Sequence, residues 1–567
     1  MHLLELPSAV LSIGDLVSYS MKNFMPETIL TVGFLLAIVL DLLIRDRSYK
    51  KITGYFALVV LGYVFYASLV QMTWYPDKAG VNWIGGNAIF PYSETLPKPV
   101  PSEIPGVLAA PYAMVSVDNF AVIFKLIISL AGMLVIGMSL VSREVKERGR
   151  RNGEFFSLLL AMTLGMFLMT ESMDLIMMYI SLELVSITSY IMAGFMKDDS
   201  RSTEASMKYV LFGAFSSGLM IYGFSILYGL TGTTNVNAIC AILERQIVLG
   251  GGANMVALWS AVILALAGMG YKISAAPFHF WTPDVYEGAP IPVTALLSVA
   301  SKAAGFGLLM RFLIFAIPSN GQTMQPYLNW PIVIAVLSAF TMTLGNFAAL
   351  RQSNVKRLLA YSTIAHAGYM MAGLVTIAAG QKMIGVSTGP SDAGIVSILI
   401  YLIAYLFMNL GAFYVVMLIA NKIGSEEVED YKGFAKRSPL LAVSLSLFLV
   451  SLTGIPLTVG FVGKFYIFVA ILKQPQWIWL AVVLGVNSVV SLYYYVRIMQ
   501  AMFIKEADPA RVTALTESDV HPDGTLRYSL LSRAYIFAFL VPTVFFGIYF
   551  SPLVDLTRNA IRFFDVR

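Results

Sequence analysis

The feature that most constrains this chain is a run of about 20 apolar residues that recurs along most of its length. The runs extend from residue 28 to residue 551, and mostly short polar connections separate them. A helix of this length crosses the hydrocarbon core of a bilayer while it satisfies its backbone hydrogen bonds internally. The pattern therefore predicts an all-α integral membrane protein with about 14 transmembrane helices.

The composition favours a membrane protein over a soluble one. Of the 567 residues, 58% are hydrophobic and 13% are charged, whereas soluble domains carry about 25% charged residues. The single cysteine, Cys240, excludes an internal disulfide and a cysteine-based metal site. The first twenty residues lack a basic segment followed by a long apolar core, so no cleavable signal peptide of the usual form is expected.

The distribution of basic residues between the connections predicts the orientation of the chain. The predicted spans are 28–44, 52–70, 117–141, 155–170, 174–196, 205–229, 256–280, 291–316, 330–349, 357–379, 394–420, 440–471, 478–500 and 530–551. One alternating set of connections holds about 21 Lys and Arg, against about 9 in the other set and the two tails. The first set is therefore predicted to be cytoplasmic and both termini to lie outside. The longest outer loop, 71–112, is rich in proline.

One predicted span carries a carboxylate in its middle. The stretch "YISLELVSITSYIMAGF" (179–195) has Glu183 as its only charged residue. A charged side chain at the centre of a membrane helix costs about 2.5 to 3.5 kcal/mol on insertion scales. Such a residue is a functional candidate unless a partner offsets its charge.

Basic residues are also assigned to the predicted spans. They are Lys125, Lys208, Lys272, Lys302, Arg311, Lys464, Arg497 and Arg533. The three arginines lie near helix ends, where their long stems are expected to carry the charge to the headgroups. Lys125 follows Asp118 by seven residues, about two turns along one helix face, which is as typical of a local structural pair as of a functional one.

Three lysines lie too deep to reach the interface easily: Lys272, Lys302 and Lys464. Lys208 lies nearer the cytoplasmic end of its span, so an anchoring role competes there. The buried set is then one carboxylate, Glu183, against three or four lysines. Burial lowers the proton affinity of a lysine, and an approaching carboxylate raises it again. The set favours proton or ion conduction, and a structural salt bridge between helices is the alternative.

Two histidines extend the polar set. His366 lies mid-span in "RLLAYSTIAHAGYMMAG", where it is suited to relay a proton near neutral pH. A structural, hydrogen-bonded histidine is equally compatible with that position. His279 follows Pro277 near the predicted cytoplasmic mouth, where it is a weaker candidate for lining an entry path.

Two predicted spans contain helix-breaking residues beside a deep lysine. Pro277 and Pro283 interrupt the seventh span, and Pro456 lies among glycines in the twelfth. The breaks lie five spans apart, which is typical of an inverted-repeat transporter.

The predicted units are N-terminal helices with the long loop (1–116), the third helix with its loop (117–154), two five-helix repeats of inverted topology with one broken helix each (155–316 and 330–503), and a final loop and helix (504–567).

Several of these motifs resemble a known family. The runs 272–311 ("KISAAPFHFWTPDVYEGAPIPVTALLSVASKAAGFGLLMR"), 354–373 ("NVKRLLAYSTIAHAGYMMAG") and 451–468 ("SLTGIPLTVGFVGKFYIF") resemble the antiporter-like membrane subunits of proton-pumping NADH:quinone oxidoreductase, respiratory complex I. With 179–195 they are most similar to the subunit N type. The resemblance covers about residues 115–505. Lys464 stands where the M type carries a glutamate, and the chain lacks the length of the lateral helix that follows in the L type.

The resemblance implies roles for the candidate residues. Glu183 and Lys272 would form the coupled pair of the first half-channel, Lys302 the central bridge and Lys464 the outlet. Lys208 matches a basic position of the N type, and His366 would join the central hydrophilic axis. The candidates for a proton relay are thus Glu183, Lys208, Lys272, Lys302, Lys464 and His366.

The resemblance also implies the surroundings of the chain. It would be a subunit of an H⁺-translocating enzyme in the cytoplasmic membrane of a bacterium, next to other membrane subunits and lipid, with no nucleic-acid partner. No cofactor is expected in this chain; NADH (or ferredoxin), FMN, iron–sulfur clusters and quinone would belong to partner subunits. A subunit of a multi-component cation/proton antiporter is the alternative function, and an inert membrane scaffold is a third. The sequence leaves the quinone, the electron donor and the complete proton path open.

Overall fold

The computed structural model describes residues 24–44, 51–73, 114–147, 152–248, 254–318, 327–377, 391–506, 526 and 528–561. In these ranges the chain is helical, and its only extended pairings are three isolated bridges. Most of the predicted loops 71–112 and 505–527 lie outside the described residues.

Twenty α-helices are described, numbered here in chain order. They are α1 (Met25–Leu43), α2 (Lys51–Thr73), α3 (Asn119–Val141), α4 (Arg143–Glu147), α5 (Asn152–Glu171), α6 (Leu175–Ala193), α7 (Ser200–Thr231), α8 (Val236–Val248), α9 (Met255–Lys272), α10 (Trp281–Gly288), α11 (Ile291–Phe315), α12 (Trp330–Ala349), α13 (Val355–Ile377), α14 (Ser391–Ile423), α15 (Phe434–Arg437), α16 (Pro439–Thr453), α17 (Val459–Leu472), α18 (Ile478–Phe503), α19 (Leu530–Ile548) and α20 (Ser551–Ile561).

The predicted membrane architecture is confirmed. Thirteen helices in the described part of the chain are long and apolar enough to cross a bilayer. The two shorter apolar helices α16 and α17 follow one another and together make the fourteenth span. The chain is a multi-pass helical membrane protein.

The first break separates α9 from α10. Helix α9 ends at Lys272, and Ser274 has a positive φ of 63°. The peptide bond before Pro277 is cis, and α10 begins at Trp281. Pro283, which the sequence placed in the break, instead lies in the first turn of α10. Proline is tolerated there because the amides of a first turn have no partner inside the helix.

The second break separates α16 from α17. Gly454 ends α16 in the left-handed conformation with φ 89°, and Leu457 follows Pro456 with φ 72°. Helix α17 begins so close to the end of α16 that a Cβ on Gly460 would overlap the Ser451 carbonyl oxygen. Glycine therefore allows this close approach, as the sequence pattern around Pro456 suggested.

Two amphipathic helices were missing from the sequence prediction. Helix α8 buries Val236, Ile239 and Leu243, which recur at helical spacing on one face. Helix α20 follows the last span and is shorter than a bilayer is thick. Neither contains an apolar run long enough to predict a membrane span.

Burial divides the bundle into a centre and an edge. Helices α11, α13 and α14 are buried on almost every side, whereas α1 and α19 expose most of their apolar residues. Exposed Leu and Val side chains at the edge match a surface that faces lipid. The buried central helices carry Lys302 and His366, so the fold places these two polar groups at its middle.

Candidate functional site

The first candidate lysine lies at the end of a half-helix. Lys272 is the last residue of α9 and is 2% exposed. The C-terminal end of a helix carries a partial negative charge, which favours a cation at this position. Its Nζ donates a hydrogen bond to Ser186 Oγ at 3.3 Å. This contact connects the first break to helix α6.

Glu183 lies one turn before Ser186 on α6. Its charge acts on Lys272 electrostatically, yet the two residues form no salt bridge within 4 Å. One of its carboxylate oxygens is buried without a hydrogen-bond partner in the part of the chain that the structure describes. The carboxylate and the ammonium are thus neighbours across Ser186 rather than a closed ion pair.

Lys302 lies at the centre of the molecule. It is 1% exposed and follows a single π-helical turn, Leu297–Ser301, in α11. Its Nζ donates to the Thr363 carbonyl oxygen at 2.7 Å. Gly305 lies on the next turn, where an added Cβ would be 3.6 Å from Lys272 Cγ. The stem of Lys272 therefore packs against the helix that carries Lys302.

His366 lies one turn after Thr363 on α13, within a group of tyrosines. Its Nδ1 is 2.5 Å from the Tyr401 hydroxyl, and its Nε2 is 3.4 Å from the Tyr495 hydroxyl. Tyr405 donates to Thr363 Oγ1 at 2.9 Å and packs on the imidazole with ring centroids 5.0 Å apart. Hydroxyl and imidazole groups therefore continue from the Lys302 partner toward α14 and α18.

Lys464 occupies the second break. It is 6% exposed, and its Nζ donates at 2.8 Å to the Thr453 carbonyl oxygen, which the end of α16 leaves free. The same Nζ lies 4.6 Å from the centre of the Tyr369 ring, within the range of a cation–π contact. A Cβ on Gly454 would approach the Lys464 stem at 2.8 Å, so glycine also leaves room for this lysine.

We call Lys272, Lys302, His366 and Lys464, with their hydroxyl and carbonyl partners, the central axis. No salt bridge within 4 Å involves any of its three lysines among the described residues. Each ammonium instead donates to a neutral oxygen. When such a lysine loses its proton, its hydrogen-bond partners carry no charge that would be left unpaired.

Lys208 does not pair with Glu183. Its Nζ lies 2.7 Å from both Glu204 and Asp284, and its side chain is 39% exposed. Asp284 also pairs with Arg357 at 2.8 Å. Carboxylates at the helix end hold its ammonium, so Lys208 offsets their charge and not that of Glu183.

Next to this network lies a buried lysine that the sequence analysis counted among loop charges. Lys356 is 2% exposed, pairs with Glu426 at 2.8 Å and donates to the Ala289 carbonyl oxygen at 3.1 Å. Glu144 accepts a hydrogen bond from the Ile291 amide at 2.9 Å. Burial raises the pKa of the Glu144 carboxyl, and the Lys356 ammonium opposes that rise. Charge counting assigned these residues to a connection and gave no sign of their burial.

The three arginines behave differently from one another. Arg311 is 1% exposed and pairs with Asp118 at 2.7 Å, so the expectation that it reaches the headgroups is wrong. Arg497 donates to the Leu350 carbonyl oxygen at 2.9 Å and thereby caps the end of α12. Arg533 is exposed, as its position near a helix end suggested. His279 is buried, its ring is tilted against that of Phe280, and it makes no hydrogen bond to the central axis among the described residues.

Lys125 pairs with carboxylates that the sequence analysis missed. Its Nζ contacts Glu27 at 2.8 Å and also contacts Glu171, whereas Asp118 is held by Arg311. The proposed Asp118–Lys125 pair is therefore wrong, and Glu27 and Glu171 are buried carboxylates, whereas Glu183 is only partly buried. Glu27 and Glu171 lie at the very ends of their spans, where a glutamate is unremarkable in sequence.

Several axis members were also missed. Thr363, Tyr401, Tyr405 and Tyr495 contact His366 or its neighbours, although tyrosines in an apolar span give no functional signal of their own. The spacing of Tyr401 and Tyr405 by four residues places both on one face of α14. Over the described residues, no group of three His, Cys, Asp or Glu side chains is arranged to hold a metal ion.

Comparisons with known proteins agree on one family. A family model described as NADH:quinone oxidoreductase/Mrp antiporter, TM, matches residues 172–491. The chain is 48% identical over 452 residues to NADH-quinone oxidoreductase subunit N 2 of Chloroherpeton thalassium, covering 79% of this chain and 83% of that protein. It is 40% identical over 568 residues to NADH-quinone oxidoreductase subunit N of Chlorobium chlorochromatii, covering 99% of each.

Solved structures give the same result at the level of the fold. A chain of respiratory complex I from Thermus thermophilus with bound aureothin superposes with a TM-score of 0.68 at 26% identity, covering 94% of this chain and 99% of that one. A chain of the Mrp complex from a Dietzia species superposes with a TM-score of 0.73 at 20% identity, covering 96% and 98%, which shows a shared fold. The chain therefore belongs to the family of NADH:quinone oxidoreductase and Mrp antiporter membrane subunits, and its relatives at 38 to 48% identity include proteins named NADH-quinone oxidoreductase subunit N.

Proposed function

We propose that this chain is a proton-translocating membrane subunit of an NADH:quinone oxidoreductase. The observation that carries the proposal is the central axis, in which three buried lysines have hydroxyl or carbonyl partners and no ion pair among the described residues. The proteins named subunit N that match over most of the chain support the enzyme assignment.

The relay runs along the axis from the first break to the second. An ammonium at Lys272 gives its proton up and becomes an amine when the Glu183 charge no longer stabilises it. Lys302 and then His366 accept and release the proton in turn, and Lys464 releases it beside the second break. Tyrosine and threonine hydroxyls next to His366 provide donors and acceptors between these groups.

The strength of this coupling is sufficient to move a proton. At an effective dielectric constant near 20, moving a unit charge from about 4 to 8 Å changes its interaction energy by about 2 kcal/mol. That corresponds to a change of about 1.5 units in proton affinity. A modest shift of Glu183 relative to Lys272 is enough to load or empty the lysine.

Redox chemistry belongs to other subunits of the assembly. NADH (or ferredoxin), FMN, iron–sulfur clusters and quinone would be bound there, and neighbouring antiporter-like and small membrane subunits would flank this chain. The excess of Lys and Arg in alternate connections supports insertion into a bacterial cytoplasmic membrane with both termini outside. Lys208, with Asp284 and Arg357, belongs to a polar network at the cytoplasmic end of this arrangement.

The antiporter alternative rests on fold similarity. The Mrp chain shares the fold at 20% identity, whereas the relatives named subunit N reach 48%. Replacing sodium in the buffer distinguishes the two functions. A quinone reductase subunit supports proton uptake coupled to electron transfer without sodium, and an antiporter subunit requires the cation.

The test of the proton relay is Glu183→Gln in the assembled complex. Glutamine keeps the size of the side chain and cannot ionise, so Lys272 loses the charge that stabilises its ammonium. We expect assembly on a native gel and a proton-to-electron ratio lowered several-fold, with Glu183→Asp between the variant and the parent. Electron transfer to quinone and proton uptake are measured in the same vesicles. An unchanged ratio in a fully assembled Glu183→Gln complex would contradict the relay.

A further inference from the structure

A second group of buried charges lies apart from the central axis, where four helices meet. We call Glu27, Gln71, Lys125 and Glu171 the N-terminal cluster; they come from α1, α2, α3 and α5 in that order. Lys125 and Glu171 are 0% exposed at the side chain, and Glu27 is 5% exposed. The cluster lies before residue 172, outside the segment that the family model matches.

One ammonium serves two carboxylates in this cluster. Lys125 Nζ contacts Glu27 Oε1 at 2.8 Å, contacts Glu171 Oε1 and donates to Gln71 Oε1 at 3.3 Å. The four carboxylate oxygens accept no hydrogen bond from an uncharged donor among the described residues. Gln71 adds no charge, so a fully ionised cluster carries a net charge of −1.

The surrounding charges do not supply the missing positive one. Arg311 of α11 acts electrostatically on Glu171, but it already pairs with Asp118 at 2.7 Å. Asp174 at the start of α6 is negative and is held by Thr234 at 2.6 Å. Asp555 and Arg558 of α20, which packs on α3, are both exposed and of opposite sign.

We propose that the N-terminal cluster is a proton-binding site in which Glu27 and Glu171 share one exchangeable proton over Lys125. An uncompensated negative charge at this depth is unfavourable, and one proton removes it. The proton forms an O–H bond on one carboxyl group and leaves the other as the carboxylate that pairs with Lys125. Two carboxyl groups held by one cation form such a pair because they resist ionising together.

The positions of the cluster residues indicate the side of the membrane with which the proton would exchange. Glu27 lies in the first turn of α1, Gln71 in the last turn of α2 and Glu171 at the last residue of α5. All three positions are helix ends on the side at which α1 begins. The proton therefore exchanges with the medium on that side, independently of the proposed relay through Lys302.

Infrared difference spectroscopy of the resting complex tests this site without turnover. The parent should show a carboxylic-acid C=O band that shifts in D₂O and disappears as the pH rises. Glu171→Gln and Glu27→Gln should each lose this band, because one carboxylate then balances Lys125 without a proton. Lys125→Gln should show a band about twice as large, since both carboxyl groups are then neutral. Asp555→Asn, which removes an exposed carboxylate, is the matched control and should keep the parent band.

Two results would overturn the proposal. In one, the spectra of both Glu→Gln variants differ from that of the parent only by a loss of ionised carboxylate absorption. This result would mean that both groups are charged at rest. The other is a carboxyl band that vanishes when sodium or potassium is added at constant pH, which means that a metal cation is the occupant. Neither result depends on proton pumping, so the proposed relay is tested separately.

Discussion

Buried cations have different kinds of partner in the central axis and around the N-terminal cluster. In the cluster region, Lys125 and Arg311 contact carboxylates directly, with Glu27 at 2.8 Å and Asp118 at 2.7 Å. In the axis, Lys302 and Lys464 donate to backbone carbonyl oxygens at 2.7 and 2.8 Å. Both regions are buried inside the protein, so the difference lies in the partner and not in the extent of burial.

The partner decides whether a buried cation keeps its proton. A carboxylate within hydrogen-bond distance stabilises the ammonium or guanidinium and ties two helices together. A neutral carbonyl stabilises the charged form much less, so the neutral amine becomes accessible. The N-terminal region is therefore suited to hold helices in place, and the central axis to pass a charge on.

Breaking the Asp118–Arg311 pair should give the largest effect on stability. Asp118→Asn leaves a guanidinium that is 1% exposed without its carboxylate, at a cost of about 3 to 5 kcal/mol for a broken buried pair. We expect little assembled complex on a native gel. The matched variant is Asp555→Asn, which removes an exposed carboxylate and should assemble normally. Normal assembly of Asp118→Asn would show that Arg311 does not need an ionised partner.

Removing an axis lysine should give a large effect on transport and a small one on assembly. Lys302→Met keeps the length of the stem and loses one hydrogen bond to the Thr363 carbonyl oxygen. We expect assembled complex whose proton uptake per electron falls by about tenfold, equivalent to about 1.4 kcal/mol in the transfer step. Uptake and quinone reduction are measured in the same vesicles. If the variant pumps like the parent, Lys302 has a structural role and does not carry the proton.

The smallest expected effect lies at the helix ends, outside the spans. The carboxyl group of Glu144 is partly buried, and burial raises its pKa above the ordinary value of 4.5 although Lys356 opposes the rise. The folded protein then holds this proton more tightly than the unfolded chain does. This contribution to stability is present below about pH 4.5 and is lost as the pH rises through the folded pKa.

Glu144→Gln should therefore flatten the pH dependence of stability. Glutamine can still accept the hydrogen bond from the Ile291 amide, and Lys356 keeps Glu426 at 2.8 Å. Relative to the parent, the variant should gain stability as the pH rises from acid to neutral, because it has no carboxyl proton to lose. The measurement is the inactivation temperature of the solubilised complex over a pH series. A parallel shift at every pH would mean that Glu144 ionises in the fold as it does in the unfolded chain.

The sequence by itself determined the membrane architecture. Apolar runs of about 20 residues have few alternatives to helices that cross a bilayer, because unpaired backbone groups are costly there. The two breaks were also predictable, since Pro277 and Pro456 remove backbone hydrogen bonds wherever they stand in a helix. The sequence also identified four candidate residues, because a charge in an apolar membrane span is costly and is a functional candidate for that reason. They are Glu183, Lys272, Lys302 and Lys464.

Only the tertiary structure decided which charges are paired. The spacing of seven positions from Asp118 to Lys125 suggested a pair on one helix, but Arg311 lies 193 positions away in sequence from the carboxylate it holds. Lys208 lies 25 residues after Glu183, yet it turns to Glu204 and Asp284. Pairing depends on which helix faces pack together. The sequence pattern of one helix does not identify the residue on another helix that its charged side chain will contact. For the same reason the carboxylates around Lys125 and the tyrosines around His366 emerged only when their helices were brought together.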